Sequence, residues 1–264
     1  MITRVPASAL RAARWDARYW DPRFSRPLDG LDPSFPVRPL GEHVALLAYG
    51  PIITGSKPEP VADGTLVVTG TAFAPAGLDL SLAVRVRPGC EFDPVRTRLR
   101  PGDLLLPRSG AGSLGRGRMG VWEEPVPANV GCFVDLVRLQ GLNPWYLWAF
   151  LRCRFGWMQV ARLVNGVAQP NLSFAEVRGL EVAVPPGREQ DAVEGRFRLR
   201  VQPAHRRYME APPSERRDAA REAEAALRTW FEEVERWLEG GPPLPEPEGP
   251  VEAPAPLSAA AGRN

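Results

Sequence analysis

Gly102-Asp103-Leu104-Leu105-Leu106-Pro107-Arg108-Ser109-Gly110-Ala111-Gly112-Ser113-Leu114-Gly115-Arg116-Gly117-Arg118 reads as a buried strand that runs into an arginine- and glycine-rich loop. A short leucine run bounded by Gly and Pro is a strand signal. A second strand follows through Val121-Trp122, then a polar turn up to Asn129. The arrangement puts several guanidinium groups on a flexible segment between two rigid ones. Guanidinium forks suit phosphate oxygens and the guanine edge.

The charge around this stretch supports that reading. The whole chain of 264 residues carries a net charge of only +2. Residues 85–118, however, hold eight arginines against three acids. Residues 1–187 hold 21 basic and 16 acidic side chains, and residues 188–264 hold 12 and 15. A local basic patch is the electrostatic footprint of a nucleic-acid binder; a solvated charged face is the bland alternative. Lys57 is the single lysine, so the positive charge is nearly all arginine.

Working outward, the spacing predicts strands over 43–48, 65–68, 80–86, 103–106, 119–122 and 131–138, each rich in Val or Leu and flanked by Gly or Pro. Asn143-Pro144 is a helix start, a capping side chain followed by proline in the first turn. Gly156 is expected to break that helix, with 157–163 continuing as another. Ser173-x-x-Glu176 is a capping box, and 180–184 reads as a last strand. Val193, Phe197 and Val201 then recur four apart in a helix expected to end at Pro203. Ala211-Pro212-Pro213 forces a break, after which Ser214 caps a long helix to Leu238. There Ala220, Ala223, Leu227, Trp230, Val234 and Trp237 alternate spacings of three and four, a heptad seam. Such a seam faces either its own first helix or another chain. Residues 241–264, dominated by Pro, Ala, Glu and Gly, are expected to be disordered.

Several function classes lose support. No apolar run approaches the roughly 20 residues that span a bilayer, and 1–13 lacks the apolar core of a secretory signal, so a cytoplasmic location is expected. The three cysteines, Cys90, Cys132 and Cys153, form no C-x-x-C pair, and the two histidines lie in unrelated contexts. No metal, hydrolase triad or cofactor is expected. Gly110-Ala-Gly112-Ser-Leu-Gly115 satisfies G-x-G-x-x-G, but a dinucleotide site needs that loop to open a helix, whereas strand-like residues follow here. Asn143-Pro144-Trp145-Tyr146 approximates the Asn-Pro-Pro-Tyr loop of adenine methyltransferases, yet sits at a helix start. Trp145, Trp148 and Phe150 read as core.

Six segments in order resemble the specificity subunits of type I restriction-modification systems. They are Arg14-Trp15-Asp16-Ala17-Arg18-Tyr19-Trp20-Asp21-Pro22, the glycine-containing loop from Tyr49 to Gly55, the Gly102–Arg118 stretch, the helix from Pro144 to Leu151, the loop from Gly166 to Ser173, and Leu180 to Pro186 with Glu189-Gln190. The resemblance implies an α+β fold: a strand-rich target-recognition domain with peripheral helices over 1–187, a helical spacer or coiled-coil segment over 188–240, and a disordered tail. It implies a double-stranded DNA-reading subunit without chemistry of its own, which directs an adenine-N6 methyltransferase subunit to a split site and leaves room for an endonuclease subunit. The chain departs from the family in having one recognition domain and one helical region. A homodimer would rebuild the two-domain arrangement; pairing with a different half is the alternative.

On this reading Arg108, Arg116 and Arg118 reach DNA, with Ser109 and the backbone amides of Gly110, Gly112 and Gly115 close to phosphate. Arg96, Arg98 and Arg100 are further candidates, because their alternate spacing puts them on one face if extended. Ala223, Leu227, Trp230, Val234 and Trp237 are the partner-helix candidates. A second function class also fits: an interaction scaffold using the heptad helix and the Pro-rich tail, with DNA binding incidental.

Overall fold

The computed structural model describes residues 19–21, 24, 26–53, 57–108, 114–163 and 172–245. The strands in chain order are β1 (Val37–Pro39), β2 (Val44–Tyr49), β3 (Thr65–Val68), β4 (Phe73–Ala74), β5 (Gly77–Leu78), β6 (Val84–Val86), β7 (Leu104–Pro107), β8 (Gly120–Val121), β9 (Ala128–Val130), β10 (Val134–Leu139) and β11 (Glu181–Ala183). The α-helices are α1 (Pro144–Arg152), α2 (Arg154–Leu163), α3 (Phe174–Arg178), α4 (Gly187–Glu210) and α5 (Arg216–Leu238). The fold class is α+β, as expected.

The leucine run of β7 explains the central sheet, ordered β2-β10-β7-β8 with every pair antiparallel. Successive strand side chains face opposite sides. Leu104 and Leu106 enter one core with α1, while Leu105 enters a second core with Trp122, Val130 and Leu136. Both faces are covered, so no residue of β7 alternates to solvent. Each buried leucine contributes about 1.5–3 kcal/mol of transfer free energy. A second sheet, β6-β3-β9, pairs β3 antiparallel with β6 and parallel with β9.

The helices close the larger core. Trp148 of α1 meets Phe197 of α4 at 5.3 Å between ring centroids and Trp230 of α5 at 5.7 Å. The Trp230 indole donates to the Val193 carbonyl at 3.0 Å. Ala223, Trp230, Val234 and Trp237 are buried in the chain's own core, and Leu227 packs against it half-buried. Of the two partners open to the seam, its own chain covers it, so the residues named as partner-helix candidates are spent internally, since apolar area covered once is not available again. The expected boundary at 187 coincides with the start of α4, while one core runs across it from α1 to α5. Leu244 also packs against that core; residues 246–264 of the expected tail lie outside the described residues.

Four local expectations are corrected. The break between α1 and α2 falls at the extended Cys153, and Gly156 lies inside α2, where a Cβ would sit 2.3 Å from the Phe150 carbonyl oxygen. Glycine there permits close approach and does not end the helix. α4 continues through Pro203 to Glu210. Ala204 is buried beyond the proline and the His205 ring lies 3.1 Å from the Leu78 carbonyl, so packing offsets the missing donor. Ser214 does not cap α5: the amides of Glu215 and Arg216 turn back to the Pro212 carbonyl instead. Residues 80–86 split into a 3-10 turn, capped by Asp79, and the short β6.

Candidate nucleic-acid interface

One end of the central sheet gathers the last residue of β2, the exit of β7 and the turn entering β10. Asp135 lies opposite Tyr49 on one side and Leu106 on the other. The Arg108 amide donates to the Phe133 carbonyl at 2.8 Å. The Arg108 side chain then turns over two rings, its Cζ 4.5 Å from the Tyr49 centroid and 5.0 Å from that of Phe174. The expected capping box starts α3 at Phe174: Ser173 accepts from the Glu176 amide and the Glu176 carboxylate accepts from the Ser173 amide. Cation–π contact with two rings holds the guanidinium in place.

Beneath it lies Asp135, a fully buried carboxyl whose Oδ1 is 3.6 Å from Arg108 Nη1. That is an ion pair, too long for a hydrogen bond. Burial pushes the Asp135 carboxyl up to about 7, against the pull of Arg108. Burying a carboxylate costs more here than one distant cation repays.

The far limb of the loop is equally specific. Leu114–Arg116 form a 3-10 turn with Leu114 buried and Gly115 and Arg116 exposed. Arg116 makes no ion pair or hydrogen bond among the described residues. Arg118 spends one arm of its guanidinium, Nη1, on the Phe73 carbonyl at 2.6 Å. Between them Gly117 has φ +61°, and a Cβ there would lie 1.7 Å from Arg152 Nη1. Arg152 packs its Cζ 4.8 Å from the Trp157 ring centroid and 5.4 Å from that of Phe231, and burial lowers its pKa.

Arg96, Arg98 and Arg100 are exposed while Thr97 and Leu99 between them are buried, but the segment is not extended throughout as expected: Val95–Thr97 form a 3-10 turn, so strand alternation does not place Arg96. They precede β7, whereas Arg108 follows it. At about 3.3 Å per residue, the strand alone separates the two groups by roughly 13 Å. The structure thus keeps two basic sets at opposite ends of one strand. Arg98 is also tied to Asp93 at 3.3 Å, and Arg138 braces the start of β7 by two bonds to Asp103, at 2.8 and 2.7 Å. Ser109, Gly110 and Gly112 lie outside the described residues, as do most of the 14–22 segment and the 166–173 loop.

Sequence reasoning missed Asp135, Phe133, Phe174 and Arg152. A signal for the first was present, because Asp135 is the lone acid in the apolar run Val134-Asp135-Leu136-Val137. Arg152 carried no such mark, since Phe231 and Gly117 meet it only through the fold.

Among the described residues of this rim, the chemistry on offer is the held guanidinium of Arg108, the exposed one of Arg116 and the partly used one of Arg118. Among the described residues no group of His, Cys, Asp and Glu side chains is placed to hold a metal ion, and no helix is long and apolar enough to cross a membrane. The buried Cys153 thiol is pushed up to about 12 by burial. The described limb of the glycine loop leads through its 3-10 turn into β8, not into an α-helix. Asn143 caps α1, accepting from the Trp145 and Tyr146 amides, while its own amide group reaches Glu194 at 2.8 Å.

No protein-family model matches the chain, and no curated protein matches it. Among solved structures, it is similar to a chain described under complex assembly and conformational transition of the type I R-M system (18% identity, TM-score 0.46, 76% of this chain and 46% of that one). It is similar to a type I restriction-modification S subunit from M. genitalium (12%, TM-score 0.44, 67% and 43%). It is also similar to the HsdS subunit from Thermoanaerobacter tengcongensis (16%, TM-score 0.44, 79% and 49%). The chain spans about half the length of each.

Proposed function

We propose that this chain reads double-stranded DNA as a single-domain specificity subunit of a restriction-modification system, without chemistry of its own. One observation carries the reading. Arg108 is fixed on Tyr49 and Phe174 where the arginine- and glycine-rich loop leaves the sheet, and Arg116 stands exposed and, among the described residues, unpaired where the loop returns. A preorganised guanidinium loses little freedom on contact, and a free one adds counterion release. The ordered motif resemblance supports the same reading and adds its finer parts: a partner adenine-N6 methyltransferase, a split site, and a second recognition half from another copy or a different chain. With the heptad seam spent internally, such pairing uses the outer faces of α4 and α5.

The test is to co-express the chain with an adenine methyltransferase encoded beside it and map methylated adenines across the host DNA. Methylation at one split motif, lost on deletion of this chain, is the expected result; a symmetric motif means two copies and an asymmetric one a different second half. Methylation independent of this chain, with no duplex preference in binding, overturns the reading in favour of the scaffold.

A further inference from the structure

Phe133 is the one non-glycine residue among those described with a positive φ, at 65°. It is also 53% exposed. Both facts run against the usual logic of a turn. Left-handed backbone favours Gly, Asn or Asp, and an exposed position gives an aromatic ring no burial to offset the strain. A residue held in such a state persists only where its surroundings over-determine it, and these residues cluster at functional sites.

The surroundings do over-determine it. The Phe133 carbonyl is taken by the Arg108 amide. Two residues earlier, a Cβ on Gly131 would lie 2.9 Å from Thr69 Cγ2, and one on Gly50 would lie 2.1 Å from the Val130 carbonyl oxygen. The turn is thus pressed between Gly50, Thr69 and the exit of β7. A strained, exposed phenyl ring therefore stands on the rim that carries Arg108.

We infer that Phe133 is an apolar wedge that enters the duplex between base pairs and unstacks one step, with Arg108 behind. The inference rests on the DNA-reading proposal above. Apolar side chains such as Phe and Ile open base steps in this way when neighbouring cations hold the backbone, and the cost of unstacking depends on the sequence. Phe133 then contributes specificity without a hydrogen bond to any base.

The test starts from the full chain with its methyltransferase and a pool of randomised 30-base-pair duplexes, from which the bound sequence is selected. 2-Aminopurine is then placed at successive positions of the selected duplex. Wild-type protein is expected to raise fluorescence at one or two adjacent positions. Phe133→Gly is expected to abolish that rise and weaken binding about tenfold, while raising the melting temperature of the free protein by about 2 °C through relief of strain. A merely structural phenylalanine gives the opposite sign: Phe133→Gly lowers the melting temperature, and that result overturns the inference. Binding within twofold of wild type with the fluorescence rise intact also overturns it, while leaving DNA reading standing. If no duplex is enriched, the reading itself fails and the wedge falls with it.

Discussion

Asp135 Oδ1 and Arg108 Nη1 face each other at 3.6 Å, and neither atom has a hydrogen-bond partner among the described residues. The pair is held by the fold more than it holds the fold. With its carboxyl raised to about 7 from an ordinary value near 3.8, Asp135 binds its proton more tightly in the folded than in the unfolded chain. The stability it contributes is present below about pH 4 and is lost as pH rises through about 7. Urea denaturation from pH 4.5 to 8 is expected to show this decline, at most about 1.4 kcal/mol per pH unit. Asp135→Asn is expected to flatten that component. A slope unchanged in the variant contradicts the assignment.

Arg108→Ala leaves a buried carboxylate without its cation. The carboxyl answers by taking a proton, so the loss from this source is bounded at about 1.4 kcal/mol at pH 8, one unit above about 7, and is smaller at pH 5, where Asp135 is already protonated. Combining it with Asp135→Asn recovers most of the stability but none of the DNA binding. A double variant that regains both denies Arg108 a role at the interface.

Arg116 and Arg118 separate by the same pair of measurements. Arg116→Ala is expected to leave stability within about 0.5 kcal/mol of wild type, and to lower the slope of log affinity against log salt by about 1. Arg118→Ala breaks the bond to the Phe73 carbonyl, costing about 1.5–3 kcal/mol, with a smaller change in salt slope. An unchanged salt slope for Arg116→Ala removes that residue from the interface.

Gly117→Ala introduces a Cβ 1.7 Å from Arg152 Nη1 on a backbone at φ +61°. Both steric demands act together, so a loss of more than about 1 kcal/mol is expected in thermal denaturation. Exchange to alanine at Gly102, where φ is +92° but nothing lies within 4 Å, isolates the backbone part of the cost.

His205 is half-buried with one ring nitrogen on the Leu78 carbonyl, and its partial burial lowers its pKa. The unfolded chain then binds the proton first. Stability is expected to fall as pH drops below about 6.5 toward the lowered value. In His205→Phe that acid-side component disappears, which denaturation at pH 5.5 and 7.5 checks. An unaltered difference between the two pH values excludes His205 as its source.

Much of this architecture is legible because local chemistry and tertiary packing agree. The helix at Asn143-Pro144 and the box at Ser173 each carry their own signal, and the structure places both there; the strand expected over 103–106 forms one residue on, at Leu104–Pro107. The seam from Ala223 to Trp237 was equally plain, yet its pattern could not name its partner, because a heptad looks the same from either side. The short strands β1, β4, β5 and β9 were missed: two or three residues are too few to establish a period. At the interface, the arginines were visible as charges. Which one is held and which is free depends on Tyr49, Phe174, Phe73 and Asp135, brought together by register across strands far apart in the chain.

Arg152 acquires a mechanical meaning from its position. Its guanidinium lies under Gly117 on the loop's returning limb and over Phe231 in the last long helix. It acts as a rivet between two parts of the chain that residue numbers place more than a hundred positions apart. The limb and α5 therefore share one side chain: a substitution at Arg152 loosens both at once.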